Sequence, residues 1–275
     1  MIGAKRRGQA LLLLHFSCMS PEKLGQHFLT DAGWQERIAR AAHIGEGVWV
    51  EIGAGHGEMT SRLAQRASSV IAIELDKRLV TRLRETTAPL KNVEVIESDV
   101  LALDFGKLAK GTKFSVYGNL PYYITSPILH RLFEHADRIS AIHIVVQLEV
   151  AVRIVAPPGR RDYGYLSVVS QWFSRPDLVL RIPPGAFRPP PKVASALVSL
   201  RMPGARETQH VDDENAFLDF VKECFAQKRK TLRNNLRGRL GTGADQILSD
   251  AGLSADSRAE ELTVSKFAEL FRLTR

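Results

Sequence analysis

Val48-Trp49-Val50-Glu51-Ile52-Gly53-Ala54-Gly55-His56-Gly57 is the stretch that decides the fold. A short β-branched and aromatic run reads as a buried strand, and glycines at every second position after it open into a helix. Glycine lets the backbone turn tightly and approach a ligand with no Cβ in the way. A dinucleotide site would want its third glycine one place later, where Glu58 stands. Glu51 in the strand end also disfavours a pyrophosphate and favours a cationic ligand such as a sulfonium amino acid. The glycines alone are equally compatible with an ordinary strand-to-helix turn.

Outward from this stretch, from about Gly25 to Arg201, β-rich runs alternate with amphipathic ones. Strands are expected at Val48 to Ile52, Val70 to Glu74, Val93 to Glu97, Phe114 to Tyr117 and Ala141 to Val146. Helices are expected at Trp34–Ala42, Thr60–Ala67, Arg78–Glu85 and Ser126–Phe133, the last opened by Thr125-Ser126-Pro127, since proline is tolerated at a first helical position. This alternation predicts an α/β domain with a largely parallel sheet. Leu178 to Ile182 and Ala196 to Arg201 read as two further strands, joined by the proline-rich segment Pro183–Lys192, which is long for a plain hairpin and suggests a loop that serves a site. The chain turns polar and irregular around Met202–Asn215, after which Ala216–Arg239, Ala244–Ala251 and Val264–Leu273 read as helices. The expected division is an extension at 1–20, a main domain at 21–204 and a helical domain at 205–275.

The 275 residues suffice for one large domain and one small one. Apolar residues at 44% and charged residues at 25% argue against a disordered or fibrous chain. Lys and Arg exceed Asp and Glu by 38 to 30, a formal charge of +8 that suits a polyanionic partner. Cys18 and Cys224 lie too far apart for ligand-type spacing, so neither a zinc cluster nor a disulfide framework is expected. Near the start, Lys5, Arg6 and Arg7 precede a short apolar run, Ala10 to Leu14, with the outline of a secretory signal. His15 breaks that run and no small-x-small site follows cleanly, so export is not expected, and Met19 is an alternative initiator. No other run approaches the ~20 apolar residues that span a bilayer.

Carboxylates recur at the strand ends. Glu74, 21 residues after Gly53, closes the second strand, where it can accept hydrogen bonds from both hydroxyls of a ribose. Asp99 follows the third strand at the same edge, where it can accept from the 6-amino group of an adenine. Either acid alone could be a solvated strand end. Together with Gly53 and Gly55 they favour S-adenosylmethionine. After the fourth strand comes Asn119-Leu120-Pro121-Tyr122. The exocyclic nitrogen of adenine is a poor nucleophile because its lone pair is delocalised into the ring. The Asn119 side-chain oxygen and the Leu120 carbonyl could bind both amine hydrogens and make the nitrogen more tetrahedral. Pro121 stiffens the turn and Tyr122 can stack on a flipped base. The bare tetrapeptide is otherwise a turn after a strand.

These residues resemble the KsgA/RsmA family of adenine N6,N6-dimethyltransferases from about Leu24 to the C-terminus. The resemblance is carried by Gly25-Gln26-His27-Phe28-Leu29, Glu51-Ile52-Gly53-Ala54-Gly55, Ile73-Glu74-Leu75-Asp76, Asn119-Leu120-Pro121-Tyr122, Ala186-Phe187-Arg188-Pro189-Pro190-Pro191-Lys192-Val193 and Gln227-Lys228-Arg229-Lys230-Thr231-Leu232-Arg233-Asn234. It implies a Rossmann-like class I methyltransferase domain with a small all-α C-terminal domain. The implied reaction is methyl transfer from S-adenosylmethionine to two adjacent adenosines near the 3′ end of 16S rRNA within a pre-30S subunit, by a cytoplasmic monomer with no membrane association. It also implies that His27 and Leu29 line the methionine side of the cofactor, Gly53 its amino acid, Glu74 the ribose and Asp99 the adenine, with Asn119 at the junction with the target. The family often has Asn where His27 stands. Phe187, by residue type more often a core phenylalanine, would by the same resemblance supply the other face of an aromatic clamp.

Arg229, Arg233 and Arg237 recur in steps of four and predict one helical stripe, while Leu232, Leu236 and Leu240 predict a second that faces the core. Lys228, Lys230 and the Arg stripe read as an RNA phosphate surface, or else as a solvated basic face. Three other activities share parts of this pattern: a methyltransferase of large-subunit rRNA adenine, a non-catalytic RNA-binding assembly factor with a relic pocket, and a DNA adenine methyltransferase.

Overall fold

Runs of β-branched residues alternating with amphipathic ones fold here as a sheet whose parallel strands are connected through helices. The computed structural model describes residues 27–274, with the side chains of Lys110 and Tyr122 outside that description. The expected extension at 1–20, Met19, and the motif residues Gly25 and Gln26 also lie outside the described residues. In chain order the elements are β1 (Phe28–Leu29), α1 (Ala32–Ala41), β2 (Val48–Ile52), α2 (Glu58–Ala64), β3 (Ser69–Glu74), α3 (Lys77–Thr87), β4 (Val93–Glu97), β5 (Phe114–Asn119), α4 (Thr125–Phe133) and β6 (Ile139–Gln147). They continue with α5 (Leu148–Val155), α6 (Tyr165–Phe173), β7 (Arg175–Ile182), β8 (Phe187–Arg188), β9 (Ser195–Arg201), α7 (Glu214–Cys224), α8 (Leu232–Leu240), α9 (Ala244–Asp250) and α10 (Val264–Leu273).

Seven strands form one sheet in the order β4-β3-β2-β5-β6-β9-β7. The pairs β2–β3, β3–β4, β2–β5 and β5–β6 are parallel, and β9 runs antiparallel to both β6 and β7. The chain builds outward from β2 to β4 and then returns to the other side of β2 as β5. That reversal leaves a crevice at the carboxyl ends of β2 and β5, where ligands bind in open α/β sheets. Alternation along β2 serves two cores: Val50 and Ile52 pack into one apolar cluster and Trp49 into the other. Asp31 and Asp76 cap α1 and α3, accepting from the backbone nitrogens of Trp34 and Arg78 at 2.9 Å each.

Three parts depart from the sequence reading. Ala216–Arg239 is two helices, α7 and α8, separated by residues 225–231. Asn235 fastens the break, donating through Nδ2 to the Cys224 carbonyl at 2.8 Å, while Thr231 caps α8. Arg229 therefore sits in the turn, and only Arg233 and Arg237 of the expected stripe are helical. Leu232 and Leu236 are buried as expected. Helices α5 and α6 were not expected: α6 buries Val168, Val169, Ser170, Trp172 and Phe173 together and so has no polar stripe to give a helical period. The proline-rich segment contains β8, which pairs with β1 as a separate two-stranded ladder.

The larger core is continuous across the polar segment that follows β9. Trp172 of α6 meets Phe217 of α7 with ring centroids 4.4 Å apart, and Phe217 meets Phe271 of α10 at 5.6 Å. The C-terminal helices thus share one apolar cluster with the sheet. Among the described residues no helix is long and apolar enough to cross a membrane.

Candidate cofactor and target-base site

After β2 the backbone turns through Gly53 (φ +71°) and Gly55 (φ +57°), a left-handed region that side chains rarely adopt. At Gly55 a Cβ would also stand 3.2 Å from the Phe28 ring, so space and conformation both require glycine. Gly53 donates to the Ile73 carbonyl at 2.9 Å, and Gly55 donates to Glu74 Oε2 at 2.9 Å. Glu74 Oε1 accepts from the backbone nitrogens of Leu75 and Asp76 at 2.8 and 3.0 Å. Three backbone donors therefore hold this buried carboxylate beside the glycine turn, and its two oxygens have acceptor capacity for a ligand hydroxyl. Asp99, just past β4, accepts from Leu101 N at 2.9 Å and is half-buried. Leu75 and Tyr123 are exposed. Burial and the nearby Asp99 carboxylate together push the Tyr123 phenol above its ordinary range.

Asn119 ends β5 next to this turn. Its Nδ2 donates to the main-chain carbonyl of His27 at 2.8 Å, which engages one of the two amide hydrogens and turns that end of the side chain toward the strap. His27 opens a short strap, residues 27–29, held from several sides. Its Nδ1 lies 2.8 Å from the Pro189 carbonyl, and β1 pairs Phe28 with Arg188 and Leu29 with Phe187. Gln35, 4% exposed, donates from Nε2 to the Leu29 carbonyl at 2.7 Å and accepts from Arg62 Nε at 3.0 Å. Phe28 stacks obliquely on His56, ring centroids 4.5 Å apart, over the glycine turn. Sequence reasoning gives Phe28 and Gln35 no role: Phe28 pairs with Arg188 and packs on His56, and Gln35 joins Leu29 to Arg62, contacts that no local pattern announces.

Glu51 lies inside the buried strand end rather than facing the crevice as an open charge. It is 2% exposed, and its Oε2 accepts from Thr60 Oγ1 at 2.5 Å. Burial pushes its pKa up to about 8, partly offset by the Thr60 hydrogen bond, so near neutral pH it is mostly a neutral hydrogen-bonding group. Its expected role as an attractive charge for a cationic ligand is corrected accordingly.

His27, Gly53, Gly55, Glu74, Asp99 and Asn119 thus gather at one edge of the sheet. Leu120 and Pro121 follow in the turn; the side chain of Tyr122 lies outside the described residues. Two of the expected site residues are buried in the smaller core. Leu29 is 6% exposed, with its side chain packed there. Phe187 is 1% exposed in the same core, with Ile182 and Leu197. The ring packs here as a core phenylalanine, the reading its residue type favours.

The basic segment is exposed but only partly unpaired. Arg233 forms an ion pair with Asp245 at 2.8 Å, and Lys228 Nζ donates to the Arg161 carbonyl. Arg229, Lys230 and Arg237 are exposed. Glu223 is taken by Arg239 through two hydrogen bonds of 2.7 and 2.8 Å. Cys224 is buried, with its thiol pushed far up by desolvation, and among the described residues no group of His, Cys, Asp and Glu is placed to hold a metal ion.

Comparison with known proteins places these features in a wider group. The family model for ribosomal RNA adenine dimethylase matches residues 20–275. A ribosomal RNA small subunit methyltransferase A from Acidobacterium capsulatum is 46% identical over 254 residues, covering 91% of this chain and 89% of that protein. Among solved structures, a dimethyladenosine transferase from Plasmodium falciparum superposes with a TM-score of 0.74 at 25% identity, covering 89% of this chain and 96% of that one. A 23S rRNA methyltransferase, ErmE, gives 0.67 at 28% identity over 90% and 98% of the two chains.

Proposed function

The chain belongs to the ribosomal RNA adenine dimethylase family, and from that premise we propose how its own residues perform the reaction. It is an S-adenosylmethionine-dependent rRNA (adenine-N6,N6)-dimethyltransferase, acting on two adjacent adenosines near the 3′ end of 16S rRNA in small-subunit biogenesis. The left-handed glycine turn at Gly53 and Gly55 and the Glu74 carboxylate beside it fit an adenosyl cofactor. When bound, that cofactor supplies an electrophilic methyl group on a sulfonium. Gly53 and Gly55 let it approach the backbone, Glu74 accepts from its ribose, Asp99 accepts from its adenine amine, and His27 borders its methionine end.

The observation that carries the reading is the Asn119–His27 hydrogen bond. With Nδ2 turned toward the strap, Oδ1 is the end of the amide that serves a ligand, and an acceptor is what an amine nucleophile requires. Asn119 Oδ1 and the Leu120 carbonyl hold the two hydrogens of the target amine, so that its lone pair leaves conjugation with the ring as nitrogen attacks. Pro121 fixes the turn, and Tyr122 stacks on the flipped base. No strong base is needed, because the proton leaves after the nitrogen has become cationic.

Lys228, Arg229, Lys230, Arg233 and Arg237 contact rRNA phosphates, and Arg233 exchanges its Asp245 partner to do so. We assign the methyltransferase domain to 21–204 and the helical RNA-binding domain to 205–275, with a monomer working on pre-30S particles in the cytoplasm. The large-subunit alternative has weaker support, from a 28% identical 23S rRNA enzyme against a 46% identical small-subunit one. Asn119→Ala tests the chemistry: it should leave cofactor affinity largely intact while slowing single-turnover methylation of unmethylated small subunits by about 100-fold or more. Methylation at the wild-type rate would remove the amine-activating role.

A further inference from the structure

Between α5 and α6 the chain passes through residues 156–164, where Arg160 and Arg161 are both exposed. This loop is fastened to the C-terminal segment at three points. Gly159 N donates to the Glu260 carbonyl at 2.7 Å, Tyr163 Oη donates to the Leu262 carbonyl at 2.8 Å, and Lys228 Nζ donates to the Arg161 carbonyl. Tyr163 is completely buried, edge-on to Phe225 with centroids 6.1 Å apart. Phe225 in turn lies 5.6 Å from Phe267. Two loops about 67 residues apart in sequence are thereby locked side by side over one aromatic stack.

The outcome is a concentration of positive charge with a fixed layout. Arg160, Arg161, Lys228, Arg229 and Lys230 have no carboxylate within 4.0 Å among the described residues, whereas Arg233 and Arg239 nearby are both paired. The acids at hand are Asp162, in the same loop, and Glu260, whose main-chain carbonyl holds Gly159. Like charges brought together without counterions repel each other, and a polyanion with regularly spaced phosphates relieves that repulsion. Helix α5 leaves the carboxyl end of β6 at Leu148 and delivers the loop after eight residues, about 12 Å of helix at 1.5 Å each.

We propose that Arg160 and Arg161 join Lys228, Arg229 and Lys230 in one composite phosphate-binding surface. It grips the phosphate backbone of the rRNA. The proposal rests on the reading of the chain as an rRNA methyltransferase and adds a second RNA contact to it, built from the sheet-domain side. Such a contact carries no sequence information; it sets the orientation of the enzyme on the subunit.

The test uses the full chain with Arg160→Gln and Arg161→Gln combined, and unmethylated small ribosomal subunits as the ligand. Binding is measured over a series of salt concentrations. The slope of log affinity against log salt should become shallower by about 1.4–1.8, since each of the two lost phosphate contacts removes roughly 0.7–0.9, and affinity near 0.1 M salt should fall tenfold or more. The Arg→Lys pair should restore the slope. Cofactor affinity, read by calorimetry, should match the wild type and shows that the variant is folded. A wild-type slope in the Gln variant would overturn the composite surface. Failure of the wild-type chain to methylate the subunits would overturn the underlying rRNA reading instead.

Discussion

Phe187 separates two roles that a sequence motif cannot. As a clamp it would govern the rate of methylation and leave stability alone; buried at 1% exposure beside Leu197 and Ile182 it should govern stability. We expect Phe187→Ala to lower the free energy of unfolding by about 3–5 kcal/mol, measured by denaturant titration, the usual cost of emptying a core phenylalanine site. A stable variant with slowed chemistry would restore the clamp. Glu51 has a pH signature of its own. Its folded-state pKa near 8 lies above its ordinary 4.5, so between those values the folded state holds the extra proton and stability falls as pH rises, by about 1.4 kcal/mol per unit at most. His143, hydrogen-bonded to Ser199 Oγ at 2.8 Å, acts in the opposite direction. Burial pushes its pKa from 6.5 down to about 4, so stability falls as pH drops through that interval. The two slopes oppose each other below pH 6.5, and only that of Glu51 acts from 6.5 to 8. Thermal unfolding should therefore show a decline over pH 6.5–8 that Glu51→Gln abolishes, because Gln still accepts from Thr60 and has no proton to lose. An identical decline in the variant would assign it to another group.

Among the elements, the strap at residues 27–29 links everything that must stay in register: the glycine turn through Phe28, the Asn119 amide through the His27 carbonyl, and the proline-rich segment through β8. Gln35 is its anchor, bonded on one side to Leu29 and on the other to Arg62 of α2, the helix that follows the glycine turn. Gln35→Leu keeps the volume but leaves the Leu29 carbonyl unpartnered by a side chain, a cost of about 1–3 kcal/mol if water does not replace it. We expect the maximal methylation rate to fall more than the affinity for cofactor, and Gln35→Glu, which retains an acceptor for Arg62 but no donor for Leu29, not to rescue it. Equal losses in rate and affinity would mean that the strap is only a wall of the pocket. The central strands were legible from sequence because β-branched runs such as Val70 to Ile73 form strands with helices between them, and the site was legible where glycine, carboxylate and Asn fall at strand ends. The strap and β8 were not legible. Two-residue strands have no periodicity, and their pairing partner lies 160 positions away. The break between α7 and α8 was hidden for a related reason: the arginine spacing at 229, 233 and 237 runs across its end, while the residue that closes it, Asn235, reads as an ordinary helical polar residue.

For the whole molecule, a formal charge of +8 is distributed unevenly in its pairing. On the α1–α2 face, Glu36 alone takes Arg40, Arg62 and Arg66, whereas the loop and turn near Lys228 leave their cations to solvent. The continuous core from Ile144 through Trp172 to Phe217 and Phe271 ties that basic surface to the sheet, so the helical segment moves with the site it serves. On the reading proposed above, one continuous core carries both Asn119 and the basic surface, which suits a structured RNA rather than a free nucleotide. The central claim is that this chain dimethylates adenosines of the small-subunit RNA, and mass analysis of that RNA tests it most directly. After purified protein and S-adenosylmethionine are incubated with unmethylated small subunits, two adjacent N6,N6-dimethyladenosines near the 3′ end should be present, and absent with Asn119→Ala. Unmodified adenosines there, in the presence of a chain that binds S-adenosylmethionine, would contradict the account.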